Sequence, residues 1–179
     1  MQKSADILIE DGKLIPVNRA CVISPQIFNL WRVILTSLYS KFCAESGRSM
    51  PDQIIPFDHE RIIRFLATNG EPIENKKFKA YGMVTLVLRN HGTGRRFVGH
   101  IEDVFTDPNY RWRGYAEKLV RAAIDEATKR GVIHIDLTSR PERTTAHQLY
   151  KKLGFRVIAQ AIPDDPRSTN LFRLWLQEN

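Results

Sequence analysis

The stretch DPNYRWRGYAEKLV (107–120) joins a predicted strand to a predicted helix through a short, arginine-rich loop. The first backbone N–H groups of a helix have no intrahelical partner and lie at its positive end. Gly114 and Ala116 are small, so a ligand can approach this backbone closely, while Arg111 and Arg113 add mobile positive charge. Together these features predict a site for a pyrophosphate group. The stretch matches neither the Walker loop nor the G-x-G-x-x-G motif.

The rest of the chain alternates strand-like apolar runs with amphipathic helical ones. Helical spacing is found over 25–42, after Gly114, and from Glu142 to the glycine at 154. The run IIRFLAT (62–68) fits either a short helix capped by Asp58 or a strand. This order predicts a mixed α/β fold, with helices on the faces of a sheet. Further strands are predicted over 20–24, 80–89, 97–107, 132–138, 155–160 and 171–176.

Length and composition indicate one main globular domain. The 179 residues are 42% hydrophobic and 26% charged, as in ordinary soluble domains. A β-hairpin is predicted over 7–17, around an Asp-Gly turn. We therefore expect an N-terminal extension over 1–16 and a single domain over 17–179. Trp31 and Trp175 are expected in its core.

No segment predicts membrane insertion or export. The longest apolar run is too short to span a membrane, and the first twenty residues include three acidic ones, unlike a signal peptide. Cys21 and Cys43 fit neither a disulfide framework nor a zinc site. We expect a reducing, cytoplasmic setting and no bound metal.

The formal net charge of +7 predicts affinity for an anion without identifying it. Nucleic acid, anionic lipid and a phosphorylated cofactor would all be attracted. The chain has no run of five or six basic residues and no RNA-binding signature. The charge by itself therefore gives little support to nucleic-acid binding.

Two motifs resemble the GNAT acetyltransferase superfamily. RWRGYA (111–116) matches its R/Q-x-x-G-x-G/A signature, and AHQLYKKLGF (146–155) resembles A-x-x-L-Y-x-x-x-G-F. GHIEDVFTD (99–107) looks like the corresponding strand of glucosamine-6-phosphate N-acetyltransferases, whereas 137–155 more closely resembles a bacterial GNAT group of unassigned substrate. The resemblance covers roughly 17–176. It implies a GNAT-like α/β fold, with a mixed, mostly antiparallel central sheet flanked by about four helices.

The resemblance also implies where acetyl-CoA binds. In the superfamily the signature loop holds the pyrophosphate, and the strand end before it bonds the pantetheine arm and donates an N–H to the thioester carbonyl. Arg143 stands where many members have an Asn that helps hold the cofactor, so that contact is not carried over. The implied cofactor-binding residues are Val104, Phe105, Thr106, Arg111, Trp112, Arg113, Gly114, Tyr115 and Ala116.

Three residues are candidates for proton transfer. Strand alternation places Glu102 on one face with His100, Val104 and Thr106. Glu102 is the candidate that accepts the amine proton, directly or through a water, and His100 is the rival base. The second motif makes Tyr150 the candidate donor to the departing thiolate, through a short hydrogen bond or a lowered pKa.

The implied reaction is direct transfer of an acetyl group from acetyl-CoA to a primary amine of a small molecule or a protein. No acyl-enzyme is implied, which agrees with the lack of a Cys–His or Ser–His–Asp constellation. The alternative is a non-catalytic module that binds or senses acyl-CoA. A homodimer is left open, and no residue pattern identifies the amine acceptor.

Overall fold

The structure is a computed structural model of the chain, and it describes residues 14–17, 25–47, 49–50, 61–69, 77–91 and 96–176. Within these ranges it contains seven strands, three α-helices and one 3₁₀ turn. In chain order these are β1 (Leu14–Val17), α1 (Pro25–Ser46), β2 (Ile62–Thr68), β3 (Ala80–His91), β4 (Arg96–Thr106), the 3₁₀ turn (Pro108–Tyr110), α2 (Tyr115–Lys129), β5 (Val132–Ser139), α3 (Thr144–Lys152), β6 (Arg156–Ala159) and β7 (Asn170–Trp175).

The strands form a mixed sheet in the order β1-β2-β3-β4-β5-β7-β6. β4 and β5 are parallel, with Ile101 opposite Leu137, whereas the pairs β1–β2, β5–β7 and β6–β7 are antiparallel. Parallel neighbours need a crossover, and α2 supplies it between β4 and β5. The predicted fold class, a mixed and mostly antiparallel sheet with helices, is confirmed.

The helix predicted around 62–66 is wrong, and the alternative is right, because this run is strand β2. Its apolar positions are buried almost continuously, as a strand covered on both faces requires. α1 continues to Ser46, four residues beyond its predicted end at Phe42. The hairpin turn near 11–12 and the strand at 20–24 lie outside the described residues. The division into 1–16 and 17–179 stays a prediction.

The chain divides into two compact units. Unit 1 is Met1–Thr85 with Asp103–Ala122, and unit 2 is Leu86–Glu102 with Ala123–Asn179.

In unit 1, α1 buries one apolar face against three strands. Leu35, Leu38 and Phe42 repeat at helical spacing and pack with Met83 of β3 and Phe105 of β4. The Phe42 and Phe105 rings meet edge to face, with centroids 5.9 Å apart. This packing fixes α1 against the end of β4, where the candidate site begins.

In unit 2, the core forms around Phe172 of β7, which is fully buried. Its ring lies 5.6 Å from that of Tyr150 on α3, and Tyr150 also meets Phe155 edge to face. Ile135 and Leu137 of β5 are buried as well. Tyr150 is therefore anchored by aromatic neighbours on both sides of the turn that ends α3.

Trp175 was expected in the core, but it is 48% exposed. Its ring lies 5.1 Å from His134, opposite it on β5, and the Arg173 guanidinium lies over it at 4.9 Å. A cation over one face of the indole stabilises a half-exposed ring without full burial. The side chain of Trp31 lies outside the described residues.

Gly82 of β3 is expected to tolerate no side chain. A Cβ there would lie 2.5 Å from the Phe105 carbonyl oxygen, which is fixed backbone. At Gly99 a Cβ would meet side chains at longer distances, Ile135 Cγ1 at 3.2 Å and Leu86 Cδ1 at 3.3 Å, so a shift of a few tenths of an ångström relieves the contact. We expect Gly82→Ala to lower the free energy of unfolding in urea by about 1–3 kcal/mol, and Gly99→Ala by less. Equal losses would contradict this account.

Candidate active site

The segment between β4 and α2 is organised by a buried carboxylate. The Asp107 side chain is 3% exposed and accepts hydrogen bonds from Lys41 Nζ, from the Asn109 backbone N–H at 3.0 Å and from Asn109 Nδ2 at 3.2 Å. Burial alone would raise the pKa of Asp107, but these bonds outweigh it and hold that pKa below its ordinary value. The Asp107 backbone N–H donates to the Tyr81 carbonyl at 2.8 Å. One residue thus caps the 3₁₀ turn, pairs with α1 and joins β3.

Both arginines of the loop have partners, of which those of Arg111 are hydrogen-bonded. Arg111 Nε donates to the Thr106 carbonyl at 3.2 Å, and its Nη2 forms an ion pair with Glu45 of α1. The Arg113 guanidinium lies 5.5 Å from the centre of the Tyr110 ring. Arg111 consequently fastens the loop both to the end of β4 and to α1.

The start of α2 fits an anionic group. Gly114 has a φ of +79°, and a Cβ built on it would meet nothing within 4 Å. The first intrahelical bond runs from the Lys118 N–H to the Gly114 carbonyl, so the preceding N–H groups have no partner within the helix. Thr106 Oγ1 is buried and bonded to no described residue. N–H groups without a partner inside their helix, beside open space at its positive end, suit a phosphate.

Trp112, in the middle of this loop, is 86% exposed and has a φ of +64°. Left-handed backbone is uncommon for residues other than glycine, and here it occurs two residues before Gly114. The indole packs on no core element. It is therefore free to contact a molecule bound in the loop.

β4 bends just before its last three residues. Asp103 has a φ of +53°, within a strand that is otherwise extended. The burial of β4 nevertheless keeps its period of two through this residue: Ile101 and Phe105 are buried, whereas Glu102, Val104 and Thr106 are half-buried. The shared face of Glu102, Val104 and Thr106 stays a prediction that agrees with this pattern. Phe105 is buried against α1, whereas Val104 and Thr106 are half-buried.

Tyr150 lies in unit 2 and is 5% exposed. No described residue forms a hydrogen bond with its hydroxyl. Burial raises the pKa of Tyr150 to about 12, although the nearby Arg143 acts to lower it. The lowered pKa that the sequence suggested is wrong, because an apolar environment disfavours the phenolate. The tyrosine is a neutral hydrogen-bond donor over the whole ordinary pH range.

The two candidate bases also lie in unit 2. Glu102 is 42% exposed, and its Oε1 lies 3.9 Å from Arg89 Nη2. His100 is half-buried, and burial lowers its pKa while the nearby Glu102 acts to raise it. A neutral imidazole can accept a proton, so both groups have the chemistry of a base.

The structure brings the nine predicted cofactor-binding residues together in unit 1 and places Tyr150 and Glu102 in unit 2. Sequence reasoning missed the partners of the loop, Lys41 and Glu45. The sequence gives only a weak signal for these two partners. They are charged residues on an amphipathic helix, and such residues ordinarily face solvent.

Sequence reasoning also missed a pair beside His100. Asp136 lies opposite His100 in the parallel ladder, and its carboxylate accepts two bonds from Arg173, at 2.6 and 2.7 Å. The alternation of β5 and β7 could have indicated the pair, since Asp136 and Arg173 are cross-strand neighbours.

Among the described residues, no three or more His, Cys, Asp or Glu side chains are grouped so that they could hold a metal ion. None of the described helices combines the length and apolar character needed to cross a membrane.

The chain belongs to the acetyltransferase (GNAT) family, whose model matches residues 31–155. This range contains most of α1, the loop of unit 1 and the whole of α3.

Three known proteins illustrate the relationship. The thialysine N-epsilon-acetyltransferase of Sus scrofa is 28% identical over 106 residues, which are 59% of this chain and 60% of that protein. The glucosamine 6-phosphate N-acetyltransferase of Trypanosoma brucei brucei is 36% identical over 76 residues, 42% of this chain and 50% of that protein. The chain thus spans less than two thirds of the length of these relatives. The crystal structure of Arabidopsis thaliana NAA60 with acetyl-CoA aligns with a TM-score of 0.57 at 17% identity, covering 90% of this chain and 97% of that one.

Lys41→Met is expected to lower the free energy of unfolding at neutral pH by about 1 kcal/mol or more, because the buried Asp107 carboxylate loses its cationic donor. The folded-state pKa of Asp107 lies below its ordinary value of 3.8. The stability that this charge provides is therefore present above about pH 4 and is lost as the pH falls through the folded-state pKa. Urea unfolding should show a difference between wild type and variant that shrinks below about pH 4.

Lys41→Arg keeps a cationic donor and serves as the matched control, with stability close to wild type. If Lys41→Met costs the same at every pH, Lys41 stabilises through its packed aliphatic stem and the assignment to charge is wrong.

Proposed function

We propose that the chain transfers an acetyl group from acetyl-CoA to the primary amine of a small molecule or a protein, directly and without an acyl-enzyme. Its membership of the GNAT family is the observation that carries this proposal. The curated relatives named above are N-acetyltransferases, and the Arabidopsis structure holds acetyl-CoA. We place the enzyme in the cytoplasm, where a free buried thiol such as that of Cys43 is stable.

The loop of unit 1 would hold the pyrophosphate of acetyl-CoA. The N–H groups at the start of α2 are free of helical partners, and the space in front of Gly114 is open. Arg111 and Arg113 place positive charge on either side of Trp112. The acetyl group of acetyl-CoA is already activated as a thioester, so the protein needs no nucleophilic side chain. What remains for the protein is to orient the thioester, stabilise charge and move protons.

The backbone of Val104, Phe105 and Thr106 would bond the pantetheine arm, and one N–H of this segment would stabilise the charge that develops on the carbonyl oxygen as the amine attacks. Fixed donors do this well, since they need no reorganisation during the reaction. The bend at Asp103 and the buried Phe105 hold this segment in place.

Glu102 would accept the proton that the amine loses, directly or through a water, with His100 as the alternative. The Glu102 carboxylate is 42% exposed, which gives water access to it. His100 is kept neutral by burial, so it also has a free lone pair. A base is needed because an amine reaches the site largely as ammonium.

Tyr150 would donate a hydrogen bond to the CoA sulfur as the C–S bond breaks. Its pKa of about 12 lies about 3.5 above that of a free thiol, near 8.5, so complete proton transfer is uphill by roughly 5 kcal/mol. Donation without transfer is therefore the role we assign. It stabilises the thiolate-like transition state more than the bound thioester.

Incubation of the protein with acetyl-CoA and a panel of amines tests the proposal, with free-thiol release and mass spectrometry of the products as readouts. The panel should include lysine analogues, an amino sugar phosphate and peptides. An acetylated amine with stoichiometric CoA supports it. CoA binding without any acetylated product would favour a module that binds or senses acyl-CoA.

Gly114→Val is expected to weaken CoA binding at least tenfold, about 1.4 kcal/mol, because the side chain fills the space in front of the loop. Gly131→Val, at the other end of α2, is the matched control: Gly131 also has a positive φ and open space before it. It should cost similar stability and leave CoA affinity unchanged in calorimetry. Unchanged affinity in Gly114→Val would mean that the pyrophosphate binds elsewhere.

Tyr150→Phe is expected to lower kcat by about 10- to 10³-fold, with the KM for acetyl-CoA little changed, because the lost interaction exists mainly in the transition state. The ring and its contacts with Phe155 and Phe172 remain, so the melting temperature should hold. A variant that melts earlier and keeps its turnover would make Tyr150 a packing residue.

A further inference from the structure

The bend in β4 is a strained feature that needs support. Asp103 is the one residue with a positive φ between Arg96 and Thr106. Such a conformation costs free energy in a residue with a side chain, and it persists only where surrounding contacts determine it. The contacts of the Asp103 carboxylate are therefore informative.

A single oxygen of Asp103 accepts two hydrogen bonds. The Tyr39 hydroxyl donates to Oδ2 at 2.5 Å, and Thr85 Oγ1 donates to the same atom at 3.1 Å. Tyr39 is 9% exposed and Thr85 is 3% exposed. Burial first, and the negative charge of Asp103 second, raise the pKa of Tyr39 to about 12, so its hydroxyl is a donor at every ordinary pH.

Tyr39 belongs to a line of contacts between α1 and the segment that follows the bend. Tyr39 meets Asp103, Lys41 meets Asp107, and Glu45 meets Arg111. The partners in the segment are four residues apart. Only the first pair holds the residue at the bend. The other two hold the loop beyond it, and Arg111 also donates to the Thr106 carbonyl at the end of the strand.

We propose that Tyr39, acting through Asp103, is a positioning residue that holds the β4 bend and thereby sets the course of the Val104–Thr106 backbone. This inference rests on the proposed function, in which that backbone donates to the thioester carbonyl. Tyr39 touches no reacting atom in this account. Its effect should appear in turnover and not in CoA affinity, since the loop that would hold the pyrophosphate is fastened separately by Glu45 and Lys41.

Tyr39→Phe removes one hydroxyl, changes no charge and keeps the ring against Phe42. The same hydroxyl also interacts with Arg64, so the Asp103 variant described below is needed to assign the effect. With acetyl-CoA and the fastest amine of the panel, kcat should fall at least tenfold, while the Kd for CoA in calorimetry stays within twofold. Ser46→Ala is the matched control, since it also removes one buried hydroxyl from α1, where Ser46 Oγ donates to the Phe42 carbonyl at 2.7 Å. It should keep wild-type kcat.

Two further variants test the route through Asp103. Thr85→Val removes the second donor and should lower kcat in the same direction. Asp103→Gly adopts a positive φ without strain, so adding Tyr39→Phe to it should change kcat by less than twofold. A full tenfold loss in that background would show that Tyr39 does not act through Asp103.

Hydrogen exchange gives a readout that does not depend on turnover. The backbone amides of 104–106 should exchange at least tenfold faster in Tyr39→Phe than in wild type or Ser46→Ala. Unchanged exchange and unchanged kcat, with only a lower melting temperature, would overturn the inference. If Tyr39→Phe speeds exchange but the wild-type protein acetylates no amine, the role of Tyr39 at the bend is supported and the proposed function is contradicted.

Discussion

The carboxylate of Asp107 cannot be left unpaired, because a charge that is 3% exposed is costly without hydrogen bonds. Lys41 and Asn109 satisfy it, and in doing so they fix three things at once: the 3₁₀ turn, the position of α1 beside it, and the hydrogen bond from the same residue to β3. The loop that leads into α2 has little freedom left. Its exposed residues are held by a buried charge.

Positive φ angles occur at Asp103, Trp112 and Gly114, all within twelve residues of one another. Such backbone conformations lower the stability of the fold where the residue carries a side chain. They are often found at functional sites, where they fix the geometry around a ligand. Contacts with α1 stabilise this segment. The apolar face of α1 packs on β4, and its polar side chains bind the residues that follow. Contacts with the rigid helix α1 thus keep the backbone of the candidate site in this conformation.

The sequence was sufficient to predict the α/β class and the position of the loop between β4 and α2, because helix periodicity, Gly114 and the two family motifs are local signals. It was not sufficient for the contacts of α1, since Tyr39 and Asp103 are 64 positions apart and no local pattern links them. The run 62–68 was ambiguous because continuous apolar burial looks alike in a short helix and a strand. The pKa of Tyr150 was misjudged for a related reason. A motif gives the position of the residue, whereas its pKa depends on burial by residues far along the chain, such as Phe172 of β7.

The ion pairs of α1 also affect how a ligand arrives. Glu45 offsets the charge of Arg111, and Asp107 offsets that of Lys41, whereas Arg113 lies over the uncharged ring of Tyr110. At a distance, the site therefore attracts anions mainly through Arg113, the helix end and the overall charge of +7. The association rate should respond to salt and to the surface charge of the whole molecule. The dissociation rate should instead follow the short-range geometry of the loop, so that capture and retention depend on different residues.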